Sequence, residues 1–432
     1  MKSLLLLDLT GRVFLKKEKI LYWLVSAFFI SLFLPDMPVI NNILIGATVL
    51  HSCFYNSFAE KGQLLRARKE IWMMILFYLL QIISAALSAN RQEAIVMLVL
   101  RLPLIVFPLC IGLLYIREEL KDRILLSYCF FTTIAATGCM IYAVWQYGMT
   151  GDTARLYNDS LTQAIGRQAI YVAMAVNLAL FTYVYLLRKK SFAIQYQGLV
   201  FLSIAFLVVF HYMLANRIAI ISLYGGLLIF AIWHYGRARR LLKGASLAVI
   251  LLAGAILMMR FFPRTVNRFR ELNHISYHYS SRAGEAHDSI QLNADQWNAA
   301  NFRLAIWKCG WQLFRQHPLT GVPLGDKQDQ LMEVYKARQF DFAFQLRLNM
   351  HNTYLDTLCN VGVFGLLIFL LGYLVLPLAV AYRTKDGLSL FIILAFAVTM
   401  STETWTDRSV GCIMLAFFLS LVSAWEKKPD PA

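Results

Sequence analysis

Charge is what this sequence has least of. Only 15% of its 432 residues are charged, 59% are hydrophobic and the mean hydropathy is +0.57, a balance that excludes an ordinary soluble globular chain. The polar punctuation between apolar runs is short, so nearly every backbone polar group must be satisfied inside helices, which excludes a soluble domain on a membrane anchor. Familiar catalytic motifs are lacking as well. There is no P-loop, no G-x-S-x-G elbow, no C-x-x-C pair and no H-E-x-x-H, so ATP hydrolysis, serine hydrolysis and zinc chemistry have no support. Of the seven cysteines only Cys309 falls in the long outer segment described below, so no disulfide framework is implied and the cysteines read as small buried apolar residues. No internal repeat is present, which argues against a secondary transporter or flippase built from inverted halves.

What is there is a succession of apolar runs. They cover roughly 20–35, 38–58, 71–88, 94–116, 123–147, 168–187, 197–215, 217–234, 242–261, 353–381, 387–401 and 409–425, about twelve helices of membrane-spanning character. The first run is followed closely by a second and has no small-residue cleavage site before Pro35, so it reads as a retained helix and not a signal peptide. Basic residues recur after every second run: Lys16, Lys17 and Lys19 before the first, then Lys61, Arg66, Arg68 and Lys69, then Arg117, Lys121 and Arg123, then Arg188, Lys189 and Lys190. The series continues with Arg237, Arg239, Arg240 and Lys243, then Arg383 and Lys385, and ends at Lys427 and Lys428. The other connections, such as "LPDMP", "SANRQE" and "STETWTDRS", carry few positive charges, so both termini are expected in the cytoplasm. The expected fold is an all-α polytopic membrane protein. Residues 1–261 form helices one to nine, 262–350 a large, partly helical outer loop, and 351–432 helices ten to twelve with a cytoplasmic tail.

The net charge of +16 therefore has two sources. One is topological; the other is the outer segment, rich in arginine and lysine, where surplus positive charge points to an anionic partner. Nucleic acid is not that partner, because no binding motif accompanies the charge and the segment faces outward. Within it, "NAANFRLAIWKCGWQLFRQHP" places Phe302, Ile306, Cys309, Leu313 and Phe314 at helical spacing, with Asn298 or Asn301 as cap and Pro318 as stop, predicting an amphipathic helix over 300–316. "LTGVPLGD" makes a turn and "KQDQLMEVYKARQF" predicts a second short helix. The apolar faces are expected on the membrane surface or over the bundle. Asp326 and Asp329 in "GDKQDQ" are either a metal-binding pair or a solvated helix start; the second reading is preferred and no metal is expected.

Three residues invite chemistry. Arg303, on the first turn of the amphipathic helix, is either a solvated surface charge or an anion clamp. Arg217 falls between the seventh and eighth runs at the outer interface, where it is either snorkelling to headgroups or forking onto phosphate oxygens. His351 stands at the mouth of the tenth run, as a cap or as a general base, with Asn352 or Thr353 available to orient it. Asp356 lies a little over one turn deeper, where an acidic residue in an apolar helix is costly enough to indicate a hydrogen-bonding role.

Taken in order, "LANRIAIISL", "NFRLAIWKCGWQLFRQHPLTGVPLG" and "HNTYLDTLCNVGVFGLLIFLLG" resemble the O-antigen ligase and polymerase superfamily. The likeness lies in an arginine at the outer end of a mid-chain helix, an R-x(3)-W helix running into a Pro-then-G-x-x-x-G turn, and an H-N-x-x-L…G-x-x-G helix start, together covering about residues 200–380. Two departures stand out: Asn216 replaces the small hydroxylated residue that often precedes the first motif arginine, and "GVPLG" replaces a commoner G-x-G-x-G. The resemblance implies a glycosyltransferase-C-like enzyme of the bacterial inner membrane. Such an enzyme moves a glycan from undecaprenyl diphosphate to an acceptor on the periplasmic side, with no cofactor. It implies that Arg217 and Arg303 bind the diphosphate and that His351 is the base; the residue chemistry above adds Asn352 and Asp356 as supporting groups. A ligase would use the lipid A-core oligosaccharide as acceptor; a polymerase of the same superfamily would use a lipid-linked repeat unit, and a related variant a protein.

Overall fold

The structure, a computed structural model, describes residues 15–35, 37–189, 194–235, 241–273, 275–281 and 297–425. Lys190, Arg237, Arg239, Arg240, Arg282, Lys427 and Lys428 lie outside the described residues. Among the described residues the chain is helical throughout, without a strand. The helices are α1 Lys16–Leu32, α2 Pro38–Tyr55, α3 Phe58–Ala67, α4 Lys69–Ala86, α5 Arg91–Arg101, α6 Pro103–Cys110, α7 Glu118–Thr150, α8 Asn158–Leu161, α9 Ala169–Arg188 and α10 Ile194–Met213. They continue as α11 Arg217–Tyr235, α12 Leu241–Phe261, α13 Pro263–Arg270, α14 Ala299–Gln316, α15 Lys327–Ala337, α16 Asp341–Gln345, α17 Thr353–Leu370, α18 Leu376–Arg383, α19 Gly387–Thr399 and α20 Ser409–Ala424.

Each of the expected apolar runs is helical over most of its length. Among the described residues six helices, counting α5–α6 and α17–α18 as one each, are long and apolar enough to cross a membrane, or seven with the bent α12–α13 pair. The apolar helices Val39–Tyr55, Arg217–Ile232, Gly387–Thr399 and Ser409–Ala424 are shorter. Large apolar side chains stand exposed around the bundle, among them Phe54, Leu202, Ile232, Ile250 and Phe364. In water such a belt would drive association; against lipid tails it needs no cover. Inside, aromatic rings interlock where α1, α6, α7 and α20 meet, Phe28 on Phe417 at 4.9 Å and Phe29 on Tyr128 at 5.0 Å. Such packing holds helices together where lipid removes the hydrophobic drive between them.

The contacts sort the connections to two ends. At one end Arg117 forks onto Glu18 at 2.7 and 2.6 Å, Lys17 donates to the Tyr55 carbonyl at 2.8 Å, Lys189 pairs with Glu118 at 2.7 Å, and the Ile116 N–H donates to the Ala424 carbonyl at 3.0 Å. The starts of α1 and α7 and the ends of α2, α9 and α20 therefore lie together, as the alternating basic connections require. At the other end, Arg167 before α9 reaches the carbonyls of Leu32 and Leu34 beyond α1, and α14 to α16 lie over the start of α17.

Local sequence explains the cover. Asn298 caps α14: its side chain accepts from the N–H groups of Ala300 and Asn301 at 2.9 and 3.0 Å, and Asn301 returns the contact to the Asn298 N–H at 2.7 Å. The expected apolar stripe is buried, Ile306 and Cys309 completely, in a core with Leu331, Tyr335, Phe340 and Met350 that sits over α17. Asp326 and Asp329 pin α15 to the α4–α5 corner. Asp326 accepts from the N–H groups of Ala89 and Asn90 at 2.9 and 2.7 Å, while Asp329 accepts from Asn90 Nδ2 at 3.2 Å and Arg347 at 2.8 Å.

The turn between α14 and α15 docks into a break in α17. Gly362 has φ +66°, outside the helical region. The backbone groups that the break releases are taken by the turn: the Val322 N–H donates to the Cys359 carbonyl at 2.6 Å, and the Val363 N–H donates to the Pro318 carbonyl at 3.0 Å. A helix can be interrupted within a membrane protein only where other protein groups satisfy it in this way. Gly321, at φ +71°, lets the turn lie on the Asn360 carbonyl, where a Cβ would sit 2.6 Å from its oxygen.

Candidate active site

His351 precedes the cap of α17 in a left-handed conformation, φ +45°, with its N–H donated to Asn349 Oδ1 at 3.2 Å. The residue before it is anchored from α14, whose Trp307 Nε1 donates to the Met350 carbonyl at 3.1 Å. Asn352 is the cap, its side chain accepting from the N–H groups of Tyr354 and Leu355, both at 3.0 Å. It does not orient the histidine. Glu403 does, from the connection between α19 and α20, with Oε2 3.3 Å from His351 Nδ1.

That connection is stitched to the start of α17. The Thr353 hydroxyl donates to the Glu403 carbonyl at 2.7 Å and accepts from the Trp405 N–H at 3.0 Å, while the Asn352 N–H donates to the Thr404 hydroxyl at 3.1 Å. Burial pushes the Glu403 carboxyl up, but the hydrogen bond from His351, with Arg303 and Arg408 nearby, brings it below the usual glutamate range. An ionised carboxylate only accepts, so the bond places a proton on Nδ1 and turns Nε2 to the other side of the ring.

The arginines come from two further helices. Ala215, at φ +50°, turns the chain sharply out of α10, and Asn216 caps α11 by accepting from the Ala219 N–H at 3.1 Å. A hydroxyl before the arginine would serve the same purpose, so this departure from the motif keeps the local geometry. Arg217, first in α11, donates to the Arg268 carbonyl and lies 3.5 Å from Glu271. Both partners come from the stretch after the 99° bend at the start of α13, where Pro263 ends the span and begins the next helix. Arg303, in the first turns of α14, donates to the carbonyls of Thr402 and Ala299 at 3.1 and 2.9 Å.

Arg217, Arg303 and His351 line one cavity of about 550 Å³, together with Glu403, Arg268 and Trp307. The sequence-based candidates, far apart in the chain, therefore share a chamber at the covered end of the bundle. Asp356 is elsewhere. It is fully buried in a cluster with Lys327 of α15, Arg101 of α5 at 3.2 Å and, through those two cations, Asp407. Arg101 also donates to Gln81 Oε1 at 2.6 Å and to the Thr406 carbonyl at 3.1 Å. The costly carboxylate of α17 thus has the hydrogen-bonding role expected of it, in the anchoring of the cover.

Glu403 is the residue that sequence reasoning missed. Its signal was the pair Glu403 and Asp407 flanking Trp405 in a short connection between apolar runs, two acids where one apolar helix hands over to the next. Among the described residues no group of three or more metal-ligating side chains converges.

An all-helical polytopic membrane protein with an arginine-lined chamber and a carboxylate-held histidine under a helical cover is the class that fold and site define. Residues 202–370 match the family model described as O-Antigen ligase, from α10 to the last residue of α17 and including Arg217, Arg303 and His351. That is the superfamily the sequence resembles; Glu403 lies beyond the matched segment. No curated protein matches the chain.

Proposed function

We propose that this protein is an O-antigen ligase, a glycosyltransferase that moves polysaccharide from undecaprenyl diphosphate to the lipid A-core oligosaccharide on the periplasmic side of the inner membrane. It would cross the membrane about twelve times with both termini in the cytoplasm. The observation that carries this reading is the convergence of the His351–Glu403 pair with Arg217 and Arg303 on one chamber.

The acceptor hydroxyl gives its proton to Nε2 of His351 as its oxygen attacks the anomeric carbon, and Nδ1–H is held by Glu403 throughout. The bond from that carbon to the diphosphate oxygen breaks, and its electron pair leaves on the diphosphate. Arg217 and Arg303 bind that charge as it grows, the electrostatic contribution that is usually the largest in such transfers. A diphosphate is already a good leaving group, so neither nucleotide nor metal is called for.

His351→Ala tests the base. Proton removal in the transition state contributes about 10²–10⁴-fold, so the purified variant should bind lipid-linked donor, keep its melting temperature and lose transfer by that factor. Near-normal turnover per folded molecule would reduce His351 to a structural residue. In a deletion strain, bare core with accumulated long lipid-linked chains marks a ligase, whereas core bearing one repeat marks a polymerase.

A further inference from the structure

A second cavity, of about 770 Å³, adjoins the first along α14. Leu304 and Trp307 line both cavities, so one helical turn separates them. At the start of α17 the same division holds, His351 lining the first chamber and Asn352 the second. Nothing in the transfer described above uses this second space.

Its lining is specific. Lys308, Arg315 and Arg338 contribute positive charge, and no carboxylate is among its described lining residues. Arg338 is held in place by Gln312 Oε1 at 2.7 Å and Tyr279 at 3.0 Å, and Lys308 lies over the Tyr277 ring at 5.2 Å. Trp307, Trp311 and Tyr354 provide aromatic faces, with Trp311 46% exposed. Leu355 and Leu358 extend the wall down α17, a membrane-spanning helix. Cationic, aromatic and aliphatic side chains around one cavity match a glycolipid with an anionic sugar head: Arg and Lys hold phosphate, tryptophan tolerates both sugar and interface, and leucine meets the alkyl base.

We propose that this cavity receives the acceptor, and that the acceptor it fits is a glycolipid whose sugar head bears phosphate, presented across the Trp307 turn to His351. The proposal rests on the transfer reaction above and adds where, and by which residues, the second substrate is held. Donor and acceptor then occupy adjoining cavities that share only Leu304 and Trp307 among their lining residues, so each can load without displacing the other.

The test uses full-length protein in nanodiscs, O-antigen-free lipopolysaccharide as acceptor, and the Lys308→Ala/Arg315→Ala and Trp311→Ala variants. All three positions are exposed, so folding should survive, and melting temperature checks that. A lost charge-assisted contact is worth about tenfold or more, so each variant should raise the acceptor KM by at least about that factor, with donor binding unchanged. Trp311→Phe should recover most of the loss. Enzymatically dephosphorylated acceptor should show the raised KM on wild-type protein and be indifferent to the double variant. An unchanged acceptor KM overturns the proposal, as does an equal loss of donor binding. Competition by phosphatidylglycerol as effective as by the glycolipid also overturns it, making the cavity a site for bulk anionic lipid. If wild-type protein transfers nothing to any glycolipid, it is the functional reading that fails.

Discussion

Glu403 and Asp407 stand four positions apart in one connection, and the fold gives them separate duties. The Asp407 carboxyl is largely shielded between Arg101 and Lys327, whose charges overcome the effect of burial and hold it below the usual range. Glu403 is also held low, and its partner faces the chamber. A group whose folded value is depressed contributes stability that is complete above its unfolded value, about 4.3 for glutamate, and lost as pH falls through the folded one. Glu403→Gln should therefore be less stable than wild type at pH 7, and the gap in melting temperature should close as pH drops below about 4. A gap that stays constant to pH 3 would mean that the carboxylate contributes no charge. Transfer should fall at least about tenfold and up to about 10⁴-fold with donor binding intact, because an amide can present its donor to Nδ1 and favour the wrong tautomer. At this scale the sequence made the arginines and the histidine legible, because each stood where a charge had no cheap reason to be. Glu403 was hidden because nothing in its own neighbourhood points to His351; a contact spanning fifty-two positions exists only in the fold.

Among the elements, the apolar runs were legible from length and hydropathy, and α14 from its stripe and its asparagine cap. The breaks were not. Run 353–381 reads as one continuous helix, yet it is interrupted at Gly362 and widens to a π segment at Leu371–Val375. Apolar composition continues across both, and what makes the first break tolerable is a turn from a different part of the chain. Gly362 has no room for a side chain: a Cβ there would lie 2.0 Å from the Leu319 carbonyl oxygen, and its φ is one that alanine adopts only with strain. Strain of this kind costs about 1–3 kcal/mol before the clash is counted. Gly362→Ala should lower the melting temperature sharply and loosen the turn that follows α14. Gly46→Ala is the matched control. A Cβ at Gly46 meets nothing within 4 Å, and replacing a helical glycine by alanine stabilises by roughly 0.5–1 kcal/mol in general. Equal melting temperatures for the two variants would show that the break is not held by the turn.

For the molecule as a whole, the sequence predicted an alternation of basic and non-basic connections, and the contacts gather these connections at opposite ends of the bundle. Arg117, Lys17 and Lys189 meet partners at one end, and the chamber with its cover of α14 to α16 occupies the other. The proposed direction of the bundle across the membrane rests on charge alone, on the rule that basic connections stay on the cytoplasmic side. Compartment is decisive for the proposed reaction, because donor glycan and acceptor meet in the periplasm. Cys53 is exposed and the other six cysteines are buried, so Cys53→Ser gives a background of low reactivity. Into it one cysteine is placed at Glu333 on α15 and, in a second variant, one at Gln63 on α3, both exposed positions at opposite ends. A membrane-impermeant maleimide should label position 333 in intact spheroplasts, and position 63 only after the inner membrane is opened. The reverse pattern would put Arg217, Arg303 and His351 on the cytoplasmic side, away from lipid-linked polysaccharide, and the transferase reading would fall with it. Labelling of both positions in intact spheroplasts would mean that an even number of crossings separates them, where the twelve-crossing path requires an odd one, and that path would have to be abandoned before any mechanism was tested.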